Sequence, residues 1–125
     1  MRETAKTEQF NVAVYMRLPR KERAWIYCRV AAPEASMLKL QQEELKTYAE
    51  NQMFEVVGAT AEHGTGLSLM RDSLAEISQA AEQGLMDVLL VTNISMLGRN
   101  AQEVWKYVRQ LKNNGVRVAC MDRLM

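Results

Sequence analysis

Strand-like and helix-like runs alternate along this chain at nearly even spacing, and that alternation leaves few folds open. Residues Ala24 to Val30 form a mostly apolar, aromatic and β-branched run, which suits a strand covered on both faces. Pro33 breaks it. From Ser36 to Asn51 the spacing of Leu38, Gln41, Leu45 and Tyr48 marks one face of a helix. Phe54 to Thr60 reads as a second strand, followed by the glycine-containing loop Gly64 to Gly66. Leu74, Ile77 and Ala81 line the next helix, which Gly84 can end by supplying a left-handed C-cap conformation. Met86 to Thr92 is the most strongly apolar stretch and is expected to be the central strand. Asn100 stands where a helix N-cap belongs, with Glu103 as its capping-box partner. Ala101, Val104, Trp105, Val108 and Leu111 are the expected buried stripe of that helix; Gly115 ends it, and Val116 to Met121 forms the last strand. Such alternation implies parallel pairing through right-handed crossovers. The expected fold is a three-layer α/β domain with a mainly parallel central sheet flanked by helices.

Composition agrees with one domain. A chain of 125 residues with 48% apolar content can bury a core of its own. The net charge of +1 argues against a dedicated nucleic-acid-binding module, which carries a clear basic excess. No apolar stretch approaches the roughly 18 residues of a membrane span, and the N-terminus lacks a signal peptide's apolar core, so a cytoplasmic protein without membrane contact is expected. The two cysteines, Cys28 and Cys120, lack metal-ligand spacing and read as strand thiols, with no metal or cofactor implied. The methionines are dispersed and read as packing.

Residues 1–23 stand apart as an N-terminal extension to a domain spanning 24–125. Val12-Ala13-Val14-Tyr15-Met16-Arg17-Leu18-Pro19 partly echoes Ala24-Trp25-Ile26-Tyr27-Cys28-Arg29-Val30-Ala31, as though the first strand had been copied. An extra edge strand or a loosely ordered arm is the expectation.

Three short segments carry the functional signal. Tyr27-Cys28-Arg29-Val30-Ala31 ends the first strand; Glu62-His63-Gly64-Thr65-Gly66 is followed five residues later by Arg71; Ser95-Met96-Leu97-Gly98-Arg99 follows the apolar run. In that order and spacing they resemble the N-terminal catalytic domain of the serine recombinases, the resolvase and invertase family. That family carries Tyr-x-Arg-Val-Ser, then Asp-x-x-Ser-Gly with an arginine five residues on, then Asp-Arg-Leu-(Gly or Ser)-Arg. Gln41 and Leu45 also match the family's Gln-x-x-x-Leu on the first helix, which fixes the second of the two echoing segments as the family's first strand.

The resemblance implies a chemistry and also its loss. In the family a serine hydroxyl attacks a DNA phosphodiester and forms a covalent phosphoserine, so one oxygen must serve as nucleophile and later as leaving group. Ala31 occupies that position and offers only a methyl group. Arginines hold the phosphate through forked, charge-assisted hydrogen bonds and stabilise charge in the transition state. Arg29, Arg71 and Arg99 match three of them and are the retained phosphate-binding candidates, expected to converge into an anion site. Met96 replaces the first arginine of the third motif, and Ser95 replaces its orienting aspartate. Glu62 for Asp and Thr65 for Ser keep polar character.

Each retained residue also has a plainer explanation. Arg29 can be a solubilising charge, Arg71 a partner of Glu62 or Asp72, and His63 a solvated loop residue. Arg99 precedes a helix N-cap, where its charge opposes the macrodipole, which favours a role other than structural support.

The resulting expectation is a resolvase-like domain of DNA recombination that is catalytically inactive as it stands. DNA would be engaged through a full-length context or a partner, in a homo-oligomer or with another recombinase. Family members continue into a long dimerising helix and a DNA-binding domain, whereas this sequence stops at Met125. Alternative readings are a regulatory or oligomerisation module of a mobile-element protein, and a phosphate-binding module that reuses the arginine pocket without a glycine-rich phosphate loop. Cys28 beside Arg29, or Ser36 as the nearest hydroxyl, would be the substitute nucleophile of a chain still active.

Overall fold

The computed structural model describes residues 20–30, 35–63 and 72–121. Ala31, Pro33, Arg71, the Gly64 to Gly66 loop, residues 1–19 and residues 122–125 lie outside them. Strand β1 (Arg23–Val30) leads to helix α1 (Ala35–Asn51), β2 (Glu55–His63), α2 (Asp72–Glu82), β3 (Val88–Val91), a single 3-10 turn (Ile94–Met96), α3 (Ala101–Asn113) and β4 (Arg117–Cys120). The four strands form one sheet in the order β2-β1-β3-β4, and every neighbouring pair is parallel. The fold is therefore the expected α/β domain, with β1 and β3 as its inner strands.

Strand alternation splits the core in two. Ile26 and Cys28 of β1 join Leu90 beneath Leu38, Leu45 and Ala49 of α1. Tyr27 joins Leu89 and Val91 against Leu74 and Ile77 of α2 and Val104, Tyr107 and Leu111 of α3, with Trp25 packed at the margin. One helix thus covers one face and two cover the other, which makes three layers.

The helix ends follow the local chemistry read from sequence. Asn100 caps α3, its side-chain oxygen accepting the Glu103 N–H at 3.0 Å. Gly84 and Gly115 follow α2 and α3 with φ of 71° and 81°, a region where a side chain would clash with its own backbone.

Two expectations on α3 are corrected. Trp105 is 58% exposed and Ala101 is exposed, while Tyr107 is buried in their place. Val104, Tyr107 and Leu111 sit at i, i+3 and i+7 along one line of the helix, and Trp105 lies about 100° round from Val104. The Tyr107 hydroxyl enters the core because it donates to the Leu74 carbonyl at 2.7 Å. Strand β2 also runs further than Thr60, which carries Glu62 into the sheet.

Candidate functional site at the carboxyl ends of β1 and β3

In a sheet ordered β2-β1-β3-β4, the connection after β1 leads to one side and β3 lies on the other. The crevice between the carboxyl ends of β1 and β3 is the topological switch point, where open α/β sheets bind ligands. Among the described motif residues, Arg29 meets Ser95 and Met96 there, while Glu62 lies on β2 on the other side of β1.

Strand β1 ties to both other motif segments. The Tyr27 hydroxyl donates to Glu62 Oε2 at 2.7 Å, across 35 positions of sequence. Arg29 reaches the turn after β3: its Nε donates to the Met96 carbonyl and its Nη2 to the Ser95 carbonyl, each at 2.9 Å. Three segments that are far apart in sequence therefore meet through two residues of one strand.

The second segment is held from α2 as well. Ser73 donates to Glu62 Oε1, so that carboxylate accepts from both Tyr27 and Ser73. One turn of strand below, the Trp25 indole N–H donates to Thr60 Oγ1 at 2.8 Å and Thr60 donates to Glu76 at 3.1 Å. These bridges fix β2 against α2. Simple alternation places Trp25, Thr60 and Glu62 on one side of their strands, but it does not specify their partners.

In the third segment Ser95 is spent on its own turn. The Asn93 side chain accepts from the Ser95 backbone N–H at 3.0 Å, and the Ser95 hydroxyl also donates to Asn93. Met96 packs half-buried against the larger core cluster. Arg99 is exposed and has no hydrogen bond or ion pair among the described residues. Thr92, between β3 and the turn, has a buried Oγ1 without a hydrogen-bond partner among the described residues.

Neither substitute nucleophile is well placed. Cys28 is fully buried under α1, and desolvation pushes its thiol up to about 12, so the reactive thiolate is scarce at neutral pH. Ser36 is exposed on the first turn of α1. An open groove between α2 and α3 is lined by Asp72, Glu76, Glu82 and Glu103 with Lys106 as its one cation among the lining residues. Its charge opposes a phosphodiester. No group of three or more His, Cys, Asp or Glu able to hold a metal occurs among the described residues.

Comparison with known proteins defines the class. The family described as "Resolvase, N terminal domain" matches residues 24–124. The chain belongs to this family, and its fold and motif order are those of a resolvase-like serine recombinase catalytic domain. It is 31% identical over 110 residues to the transposon Tn2501 resolvase of Escherichia coli, covering 79% of this chain and 50% of that protein. The chain thus spans about half the length of that relative. Among solved structures it is similar to the C-terminal catalytic domain of ISC1926 TnpA, an IS607-like serine recombinase, with TM-score 0.75 and 26% identity over 79% of this chain and 68% of that one. A resolvase family site-specific recombinase from Streptococcus pneumoniae shares the fold, with TM-score 0.73 and 22% identity over 84% of this chain and 75% of that one.

Proposed function

We propose that this chain serves in DNA recombination as a resolvase-type domain that does not itself carry out strand transfer. The observation that carries the proposal is Ala31, a methyl group directly after the strand that positions Arg29. Without a hydroxyl, no bond to phosphorus can form there. Two features of the surroundings point the same way. Met96 cannot donate to a phosphate, and Arg29 directs donors at the carbonyls of Ser95 and Met96. Cys28 offers no replacement, because its thiol is buried and kept protonated.

DNA would then be reached through a longer context of this domain or through a recombinase partner, as an oligomer. Exposed Arg99 is the best-placed group to meet a phosphate, since it follows the turn at the switch point and has no competing partner among the described residues.

The test is incubation of the purified chain with duplex DNA carrying a recombination site, followed by a denaturing gel. No protein–DNA adduct is expected, and retention of duplex should be no better than about micromolar at physiological salt. An adduct that survives denaturation would overturn the proposal.

A further inference from the structure

We propose that a second copy of this chain pairs antiparallel along the outer edge of β2, about a two-fold axis through Ala59, and joins the two sheets into one. The inference needs neither catalysis nor DNA, and it uses the edge of the sheet opposite β4.

Hydrogen bonding fixes which residues can meet. Among the described strands β2 pairs with β1 alone. The Asp87 N–H donates to the Arg23 carbonyl, so Arg23 turns its main chain towards β3 and, by alternation, Ala24, Ile26 and Cys28 turn theirs towards β2. Ile26 lies beside Ala59 and Cys28 beside Ala61. A residue in a parallel ladder bonds the neighbours of its partner, so Gly58, Thr60 and Glu62 are engaged, and the N–H and carbonyl of Ala59 and Ala61 point outward. In an antiparallel pair such outward residues must meet one another, which puts the axis on a residue rather than between two. Ala59 is the midpoint of β2 (Glu55–His63), so an axis there engages the whole strand.

The strand does little to guard this edge. From Val56 to Ala61 it carries no charge and no proline, the usual blocks to edge pairing, and Val57, Ala59 and Ala61 are exposed. Its register shift, at Val57, lies near the start and leaves the residues after it evenly paired with β1.

Charge selects a second copy as the occupant. Glu44, Tyr48 and Asn51 of α1 line a groove with Met121, just after β4, so Lys39, Lys46 and Glu50 on the opposite flank of the helix lie on the β2 side. Because α1 packs on β1 and β2, the axis brings the two α1 helices antiparallel at about 10–14 Å, a gap that lysine and glutamate side chains span. Glu44 and Leu45 stand about 10 Å up the helix from Asn51, and Ala59 about 13 Å up the strand from Glu55, so the axis crosses α1 near those residues. Exposed Lys39 then comes opposite the second copy's Glu50, and exposed Lys46 opposite the second copy's Glu43. The symmetry makes each attraction twice.

The test uses the full chain. Sedimentation equilibrium is expected to show a dimer with a dissociation constant of roughly 10–100 μM, as suits a small interface. Ala59→Lys sets two ammonium groups against each other and should weaken the dimer about 10-fold or more. Lys39→Glu should weaken it as well, and adding Glu50→Lys should restore it. In a Cys120→Ser background, Ala59→Cys should form a disulfide with its own kind about 10-fold faster than Ala61→Cys, whose mate lies about 13 Å away along the strand. Should Ala59→Lys fail to fold, the charge swap and the crosslinking decide. A chain monomeric at roughly 0.5 mM, a dimer indifferent to Ala59→Lys, a charge swap without rescue, or equal crosslinking at both positions would overturn the proposal.

Discussion

The Arg29 guanidinium donates to the main-chain carbonyl of Met96 at 2.9 Å, across 67 positions of sequence. With a second bond to the Ser95 carbonyl, it pins the end of β1 to the turn after β3 across the switch point. Carbonyls at the end of a short turn carry partial negative charge with few local partners, and a forked cation satisfies two of them at once. Arg29 thus has a structural task whatever ligand it meets.

Removing that task should cost stability. Arg29→Ala is expected to destabilise the domain by roughly 1–3 kcal/mol, since two carbonyls lose a charged donor in a half-buried site. Arg29→Lys should fall between, because an ammonium lacks the planar fork. Urea unfolding of the three proteins checks this. A neutral Arg29→Ala would mean that the guanidinium contributes nothing at this turn.

A second cation acts at the opposite end of the sheet. Arg23 holds Asp87 through its side chain, at 3.0 Å from Nη2 and 3.1 Å from Nε, and through its backbone N–H at 2.8 Å. These bonds lower the Asp87 carboxyl from 3.8 to about 2. A carboxyl depressed on folding stabilises the native state above its unfolded value and ceases to as pH falls through the folded one. Stability should therefore drop between about pH 4 and pH 2. Asp87→Asn should be less stable at neutral pH and show a flatter profile in that window, read from unfolding curves at each pH. An unchanged slope would exclude Asp87 as its source.

Much of this architecture could be read in advance, for identifiable reasons. Apolar runs bounded by Asn100, Gly84 and Gly115 mark elements because caps and left-handed residues act locally. Bonds to main-chain atoms leave no such trace: the carbonyls of Ser95 and Met96 exist in any sequence, so Arg29 could be matched to a motif but not to its actual acceptors. Trp105 misled for another reason. Its size favours burial on average, yet its angular position on α3 turns it outward. Ala31 and Arg71, outside the described residues, rest on sequence alone.

Thr92 offers a test of the site's polarity. Its buried hydroxyl oxygen lacks a partner among the described residues. A valine of the same shape removes that unmet demand, so Thr92→Val should leave stability unchanged or raise it by up to about 1 kcal/mol. Thermal unfolding measures the difference. A loss larger than about 1 kcal/mol would reveal a hydrogen bond in solution.

Met53 follows α1 with φ of 67°, where glycine is usual, and its side chain is 65% exposed. The left-handed conformation costs a residue with a Cβ roughly 1–2 kcal/mol. Glycine relieves that cost but loses more chain entropy on folding. Met53→Gly is expected to gain about 0.5–1 kcal/mol net, measured by urea unfolding. A destabilised variant would show that Met53 makes contacts worth more than the strain.

Restoring chemistry requires more than restoring the hydroxyl, because groups that act together on one transition state do not contribute additively. Ala31→Ser alone should form little or no phosphoserine, since Met96 still withholds a donor and Ser95 an orienting carboxylate. A single missing transition-state donor commonly costs on the order of 100-fold. The triple change Ala31→Ser, Ser95→Asp, Met96→Arg has the better prospect, and the structure gives a reason for compatibility. Arg29 holds the main-chain carbonyls of residues 95 and 96, so exchanging those side chains leaves its acceptors in place. Both variants should be compared in a chimera that supplies a dimerising helix and a DNA-binding domain, scored by covalent adduct on a denaturing gel. Adduct from the triple variant well above the single is expected. If the single variant matches an intact recombinase, Ser95 and Met96 cost the site nothing, and the loss lies in Ala31 alone.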